Sequence, residues 1–144
     1  MAHFAELGSN NIIERVVVVA DSDTGGGTLA TESVGISFCK SLFGADTNWK
    51  QTSITNSFRG NFAGIGGTYM EDVATLGVAS TDVFMDSKPF PLWHIGISTA
   101  EWYPPDDTPA EPTLTEEDIE AGKWYEWSPS NYAADPSTSW VLTS

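Results

Sequence analysis

His3-Phe4-Ala5-Glu6-Leu7-Gly8-Ser9-Asn10-Asn11-Ile12-Ile13-Glu14-Arg15-Val16-Val17-Val18-Val19-Ala20 is the stretch on which the reading of the fold turns. His3 to Leu7 mixes apolar and polar side chains, and Gly8 to Asn11 supplies turn residues. Ile12 to Ala20 is rich in β-branched residues, which suit a half-buried pleated surface. The spacing predicts a β-hairpin. Asp21 to Gly27 follows as a polar loop, with three glycines that remove any steric reason for regular structure.

Working outward, Val34, Ile36, Phe38, Cys39, Leu42 and Phe43 recur at spacings near three and four and predict a helix over Glu32 to Phe43. Thr31 or Ser33 would cap it and Gly44 would stop it. Asn48 to Ile54 reads as a strand with Trp49, Gln51 and Ser53 opposed to Lys50 and Thr52. Phe58 to Tyr69 interleaves aromatic residues with Gly60, Gly64, Gly66 and Gly67, which predicts bulges or close backbone approach. Val73 to Phe84 alternates around Gly77 as one or two short strands, and Lys88-Pro89-Phe90-Pro91 is extended.

Two aromatic hairpins close the chain. Leu92-Trp93-His94-Ile95 and Glu101-Trp102-Tyr103 flank Gly96 to Ala100, with a tryptophan on each arm. Lys123 to Trp127 and Ser139 to Leu142 repeat that arrangement across a polar loop. Between the hairpins, Pro104 to Gly122 is proline-marked and acidic, a hinge in which Leu114 to Ile119 starts a short helix capped by Thr113 or Thr115. The fold class expected is α+β, mostly β: an N-terminal β-hairpin and one helix packed on a small antiparallel sheet, followed by Trp-rich β-hairpins. The expected divisions are a core over 1–103 that includes the first Trp hairpin, an acidic Pro-rich linker over 104–122, and the C-terminal Trp hairpin over 123–144.

Charge narrows the partners. The 144 residues carry a formal net charge of −14, and 101–144 hold ten acids against Lys123 alone. Phosphate-backbone binding needs clustered Lys and Arg, and the six basic residues are scattered, so nucleic acid is not an expected partner. The longest apolar run, Val16 to Ala20, is too short to span a bilayer, and no signal-like segment opens the chain; neither a membrane nor secretion is expected. Cys39 is the single cysteine and cannot form an internal disulfide, which fits folding in a reducing cytoplasm.

Candidate chemistry is sparse. Asp21-x-Asp23 before glycines superficially suggests a calcium loop, but the later ligand positions are missing and a solvated turn explains it. Glu116, Glu117, Asp118 and Glu120 are explained by a helix start. Gly60-x-x-x-Gly64-x-Gly66-Gly67 lacks the Lys-Ser or Lys-Thr of a phosphate loop. His3 and His94 stand in no metal-ligand spacing, and Cys39 lies on the apolar side of its helix, where burial raises a thiol pKa. No catalytic residue, metal or cofactor is expected. The tryptophans read first as cross-strand packing or docking elements and second as sugar-stacking platforms. The interaction residues expected on this basis are Trp93, Trp102, Tyr103, Trp124, Trp127 and Trp140.

Several segments, taken in order, carry a resemblance: Met1 to Leu7, Asn10-Asn11-Ile12, Gly35 to Gly44, Trp49 to Ser53, Phe58 to Gly66, Thr68-Tyr69, and Lys88 to Pro91 with Trp93. Together they resemble a recurrent family of small marine-phage (cyanophage-like) proteins over most of residues 1–103. Lys123 to Trp127 and Ser139-Trp140-Val141 resemble that family's closing hairpin, a pattern shared with accessory parts of phage tail proteins. The chain departs from the pattern at Met70 to Met85, which is longer and less acidic.

The resemblance implies a phage-encoded virion component assembled in the host cytoplasm. The first function expected is a capsid decoration or cement subunit whose partners are other virion proteins, with self-association as a homo-oligomer compatible with it. The second is a tail or tail-fibre-associated protein, either a receptor-binding or a fibre-assembly module. The third is a small cell-wall-polysaccharide hydrolase using two acids among Glu71, Asp72, Asp82 and Glu101.

Overall fold

The computed structural model describes residues 1–71, 82–95 and 100–144. The chain divides into two compact units, Met1–Pro89 with Ile95–Tyr103, and Phe90–His94 with Pro104–Ser144. The small α+β fold with β-hairpins expected from sequence is present. The tryptophans of the first aromatic hairpin part company, since Trp93 belongs to the second unit and Trp102 to the first. The 104–122 stretch, expected as a linker, is grouped with the closing hairpin.

In the first unit, β1 (Ala2–Leu7) is the middle strand of an antiparallel sheet ordered β2-β1-β3, with β2 at Ile13–Val19 and β3 at Asn48–Thr52. The β1–β2 turn works because Asn10 and Asn11 adopt φ of 57° and 58°, a left-handed conformation that asparagine tolerates. Glu6 stands opposite Arg15, and a register shift between Glu6 and Leu7 then marks a bulge that passes over Glu14 and sets Ile13 opposite Leu7. Arg15 spans the Phe43 ring at 4.6 Å and sets Nε 2.9 Å from a Glu6 oxygen, an ionic contact without hydrogen-bond alignment.

Both faces of β1 are covered, which is why nearly every residue of it is buried. On one face Ala2, Phe4, Val19 and Trp49 pack with Cys39 of α2 (Glu32–Phe43), flanked by Val17, Ile36 and Phe38. The expected helix limits hold, with Thr31 at the N-cap and Gly44 at the C-cap, although no side chain caps the first turn. Lys40 closes the other end, donating from Nζ to the Ala45 and Thr47 carbonyls. Gly35 is needed at the crossing: a Cβ built on it would lie 2.1 Å from Phe4 Cζ. Burial pushes the Cys39 thiol up to about 11, with Glu6 adding to the rise, and the thiol is buried on the apolar side of its helix as expected from sequence. Asp21 to Gly27 is not wholly irregular, for Asp21–Thr24 forms one helical turn, α1, that ends at Gly25 with φ 69°.

On the opposite face, Ala5, Leu7 and Ile13 pack with Ala63, Tyr69 and Phe84. Tyr69 and Phe84 stand across from each other on β4 (Thr68–Met70) and β5 (Val83–Met85), their rings 5.3 Å apart. The far side of that two-stranded sheet carries Val83 and Met85 into a third cluster with Ile95, Met70, Ala100 and Trp102. Two short strands follow, β6 (His94–Ile95) and β7 (Trp102–Tyr103), and form a two-stranded sheet. The glycine-rich segment does bring backbones close, since a Cβ on Gly67 would lie 2.5 Å from the Met85 carbonyl oxygen and one on Gly60 2.8 Å from Ala100 Cβ. The alternation expected over Val73 to Phe84, and the Gly96 to Ala100 turn, fall mostly outside the described residues.

In the second unit, α3 (Glu116–Glu120) begins with a capping box in which Thr115 and Asp118 satisfy each other's backbone N–H groups. β8 (Trp124–Trp127) and β9 (Trp140–Thr143) pair antiparallel, as expected, with Trp127 directly across from Trp140. The intervening polar loop contains a further helix, α4 (Pro129–Ala134), with Ser128 as N-cap and Pro129 in the first turn.

Candidate functional site

Alternation along β8 and β9 sends Trp127 and Trp140 to one face of the ribbon and Trp124 and Val141 to the other. On the inner face, Trp127 is 3% exposed and forms the centre of an aromatic cluster. Phe90 lies 5.0 Å from it, Tyr132 5.2 Å, and Trp93 5.8 Å in an edge-on contact. Trp93 also meets Trp140 at 6.5 Å, again edge-on. Offset and edge-on contacts of this kind add about 0.5–1.5 kcal/mol each beyond the area buried.

The 104–122 stretch is tied to this unit by side chains. Trp140 Nε1 donates to the Pro109 carbonyl at 2.8 Å, and the Tyr132 hydroxyl donates to Asp107 Oδ1 at 2.6 Å, a bond that raises the tyrosine pKa. His94 Nε2 lies 3.4 Å from Asp106 Oδ1. Among the described residues, Nε1 of Trp93 and Trp127 and Oγ1 of Thr108 are buried without a hydrogen-bond partner.

The six expected interaction residues therefore divide. Trp93, Trp127 and Trp140 meet in one cluster, and Trp124 stands on the outer face, 45% exposed. Trp102 is a packing residue of the first unit, set against Ile95 and Met85, with Nε1 donating to the Asp86 carbonyl at 2.8 Å. Tyr103 is exposed and donates to Glu101 Oε2 at 2.9 Å. Sequence reasoning missed Phe90 and Tyr132. Phe90 sat inside a Pro-x-Pro segment read only as extended chain, while the Ser128-Pro129 helix start that positions Tyr132 was available as a signal.

A second constellation lies in the first unit. Arg59 donates from Nη1 and Nη2 to Glu32 and from Nε to Asp82 at 2.8 Å, and also reaches the Gln51 carbonyl at 3.0 Å. Glu32 in turn accepts the Gln51 backbone N–H at 2.7 Å, closing the outer edge of β3. The Tyr69 hydroxyl donates to Asp82 at 2.6 Å. Burial works against the Asp82 carboxylate, yet the hydrogen bonds from Tyr69 and Arg59 outweigh it and hold its pKa below the ordinary range. Burial raises the Tyr69 pKa strongly, and its bond to Asp82 adds to the rise. Arg59 itself sits at φ 53°, a conformation uncommon for a residue with a side chain.

In this arrangement Arg59 and Tyr69 clamp the Asp82 carboxylate between them. A carboxylate held ionised by Arg59 and Tyr69 is poorly suited to donate a proton at neutral pH. Of the other acids weighed for hydrolysis, Glu101 accepts from Tyr103, and Glu71 is exposed on the wall of a cavity of about 400 Å³ also lined by Lys40 and Lys50. Asp72 lies outside the described residues. Asp21 pairs with the Met1 ammonium at 2.7 Å, and His3 packs edge-on against Phe62 at 5.4 Å. Among the described residues, no group of three or more His, Cys, Asp or Glu side chains is placed to hold a metal ion, and no helix is long and apolar enough to cross a membrane.

No family model, curated protein or solved structure matches this chain.

Proposed function

We propose that the chain is a non-enzymatic structural protein of a phage virion, a capsid decoration or cement subunit that docks on neighbouring capsid proteins through its second unit. The observation that carries this reading is the outer face of the β8–β9 ribbon. There Trp124 is 45% exposed and Val141 38% exposed, diagonal to each other on a pair of strands whose inner face is fixed by the Trp127 cluster. A large aromatic next to an aliphatic side chain on a stiff support is the make-up of an interface anchor, surrounded here by polar Glu126 and Thr143. The virion context comes from the marine-phage resemblance. The acidic excess suits an outer component that stays soluble and is not drawn to packaged DNA.

The test is mass spectrometry of separated heads and tails, together with binding of the purified protein to each. Capsid binding without tail binding is the expected result. Binding confined to tails would replace this reading with the tail or fibre one. Trp124→Ala should leave the thermal unfolding free energy within about 0.5 kcal/mol of wild type, as for an exposed surface site. The same change should weaken capsid docking by about tenfold or more, measured by co-sedimentation with capsids. Unchanged docking would show that the outer face is not the anchor.

A further inference from the structure

The second unit is assembled from two pieces of chain. Phe90–His94 forms one piece and Pro104–Ser144 the other, and the residues between them, Ile95–Tyr103, return to the first unit. The short piece acts as an aromatic plug. Its Trp93 backbone N–H donates to the Phe90 carbonyl at 3.1 Å, and the two rings lie 5.6 Å apart, so the plug is shaped as a turn by its own contacts. The long piece is the socket. Its Trp127 receives Phe90 at 5.0 Å and Trp93 at 5.8 Å, its Trp140 receives Trp93 at 6.5 Å, and its Asp106 lies 3.4 Å from His94.

The socket has local structure of its own that does not use the plug. The β8–β9 pairing, the Thr115–Asp118 capping box, the Ser128 cap of α4, and the Tyr132–Asp107 and Trp140–Pro109 bonds all lie within Pro104–Ser144. Chain enters it through Pro104-Pro105, two residues with fixed φ and no backbone N–H, which favour an extended, stiff joint. Plug and socket are thus joined by side-chain contacts, with a proline joint at the point where a socket could swing out on its own chain.

We infer that plug and socket form an exchangeable joint, through which the plug of one copy seats in the Pro104–Ser144 socket of a second copy. Each aromatic contact and the His94–Asp106 approach can be made between copies with the chemistry they have within one. Exchange therefore requires no new surface, only a local concentration high enough to compete with the tethered plug. Reciprocal exchange closes a two-fold dimer, whereas one-way exchange links copies in series. The inference stands independently of the virion reading, since it concerns how copies of this chain join wherever they act.

The test is complementation. Phe90→Ala/Trp93→Ala removes the plug and keeps the socket, while Trp127→Ala/Trp140→Ala removes the socket rings and keeps the plug. Far-UV circular dichroism checks that each retains the first unit. The two variants are unfolded, mixed and refolded together. A species of twice 15.5 kDa by light scattering is expected, with near-UV dichroism partly restored. Its fraction should exceed that of either variant alone by about tenfold or more, as the contacts of one second unit are rebuilt across the pair. A chain carrying all four substitutions serves as the control partner. Monomers only in the complementing mixture, or as much dimer with the control partner, would overturn the inference.

A second measurement does not depend on the variants folding well. Two differently tagged wild-type chains, refolded together, should be captured through one tag as a pair. Absence of co-capture at any concentration short of aggregation would also overturn it.

Discussion

Gly35→Ala should lower the melting temperature by roughly 5–10 °C, a loss of about 2–3 kcal/mol. Helix propensity taken alone predicts the opposite sign, because alanine is favoured over glycine in a helix interior by about 1 kcal/mol. The local environment reverses it. A Cβ at Gly35 would stand 2.1, 2.7 and 2.9 Å from Phe4 Cζ, Cε2 and Cε1, and the Phe4 ring is fully buried. The ring cannot swing aside without disturbing Ala2, Val19, Cys39 or Trp49, so either α2 lifts off the sheet or the ring leaves its rotamer. Phe4→Leu combined with Gly35→Ala should recover part of the loss, because the shorter side chain vacates the ring tip. A higher melting temperature for Gly35→Ala alone would show that the helix and β1 are not in tight contact at this point.

Arg59→Ala should cost about 3–5 kcal/mol in chemical denaturation, the range for removing one partner of a buried ion pair. Its side chain is 11% exposed and holds Glu32 and Asp82, which lie 27 and 23 residues away in sequence. Removing it strips the Glu32 and Asp82 carboxylates of their shared cation and leaves them, among the described residues, only the Gln51 N–H and the Tyr69 hydroxyl as donors. Neutralising the acids together with the arginine, as Glu32→Gln/Arg59→Met/Asp82→Asn, should cost less than Arg59→Ala, because no uncompensated charge is stranded.

The pH dependence of stability follows from the same clamp. The Asp82 pKa is depressed in the folded state, so the stabilisation is fully present above the unfolded carboxylate value of about 3.9. It is lost as pH falls through the folded value, where the folded protein takes up the proton as well. Asp82→Asn should therefore flatten this acid limb of the stability curve. An acid limb identical to wild type would assign acid sensitivity to other groups.

Legibility from sequence tracked the distance over which each feature is built. The β1–β2 hairpin and the limits of α2 follow from neighbours within a few residues, through alternation, helical spacing and turn residues, while the β8–β9 pairing across the α4 loop was legible from the tryptophans repeated on its two arms. The Arg59 clamp follows from nothing local, since its partners come from α2 and from beside β5, and no spacing rule links Glu32, Arg59 and Asp82. Trp93 and Trp102 illustrate a different failure. Nine residues apart around a glycine, they suggested one hairpin, yet Trp93 finds other tryptophans far along the chain while Trp102 packs on Met85 and Ile95. Aromatic composition announced a cluster without saying which rings would share it. The 104–122 stretch read as a linker because it is proline-marked and acidic, and its attachment depends on single polar bonds to Tyr132 and Trp140 that composition does not reveal.

The placement of β1 between β2 and β3 has a consequence for synthesis. During translation the middle strand of the sheet emerges first, and β2 is available to pair with it within a few residues. The other flank stays open until Asn48–Thr52 has left the ribosome, and both faces lack cover until α2 and the β4–β5 pair have followed. A nascent chain at that stage presents Phe4, Leu7, Ile13 and the Val16–Val19 run with an unpaired strand edge, the combination that invites pairing with other chains. Chaperones that hold extended apolar segments should therefore engage this stretch as it emerges and release it once β3 has docked.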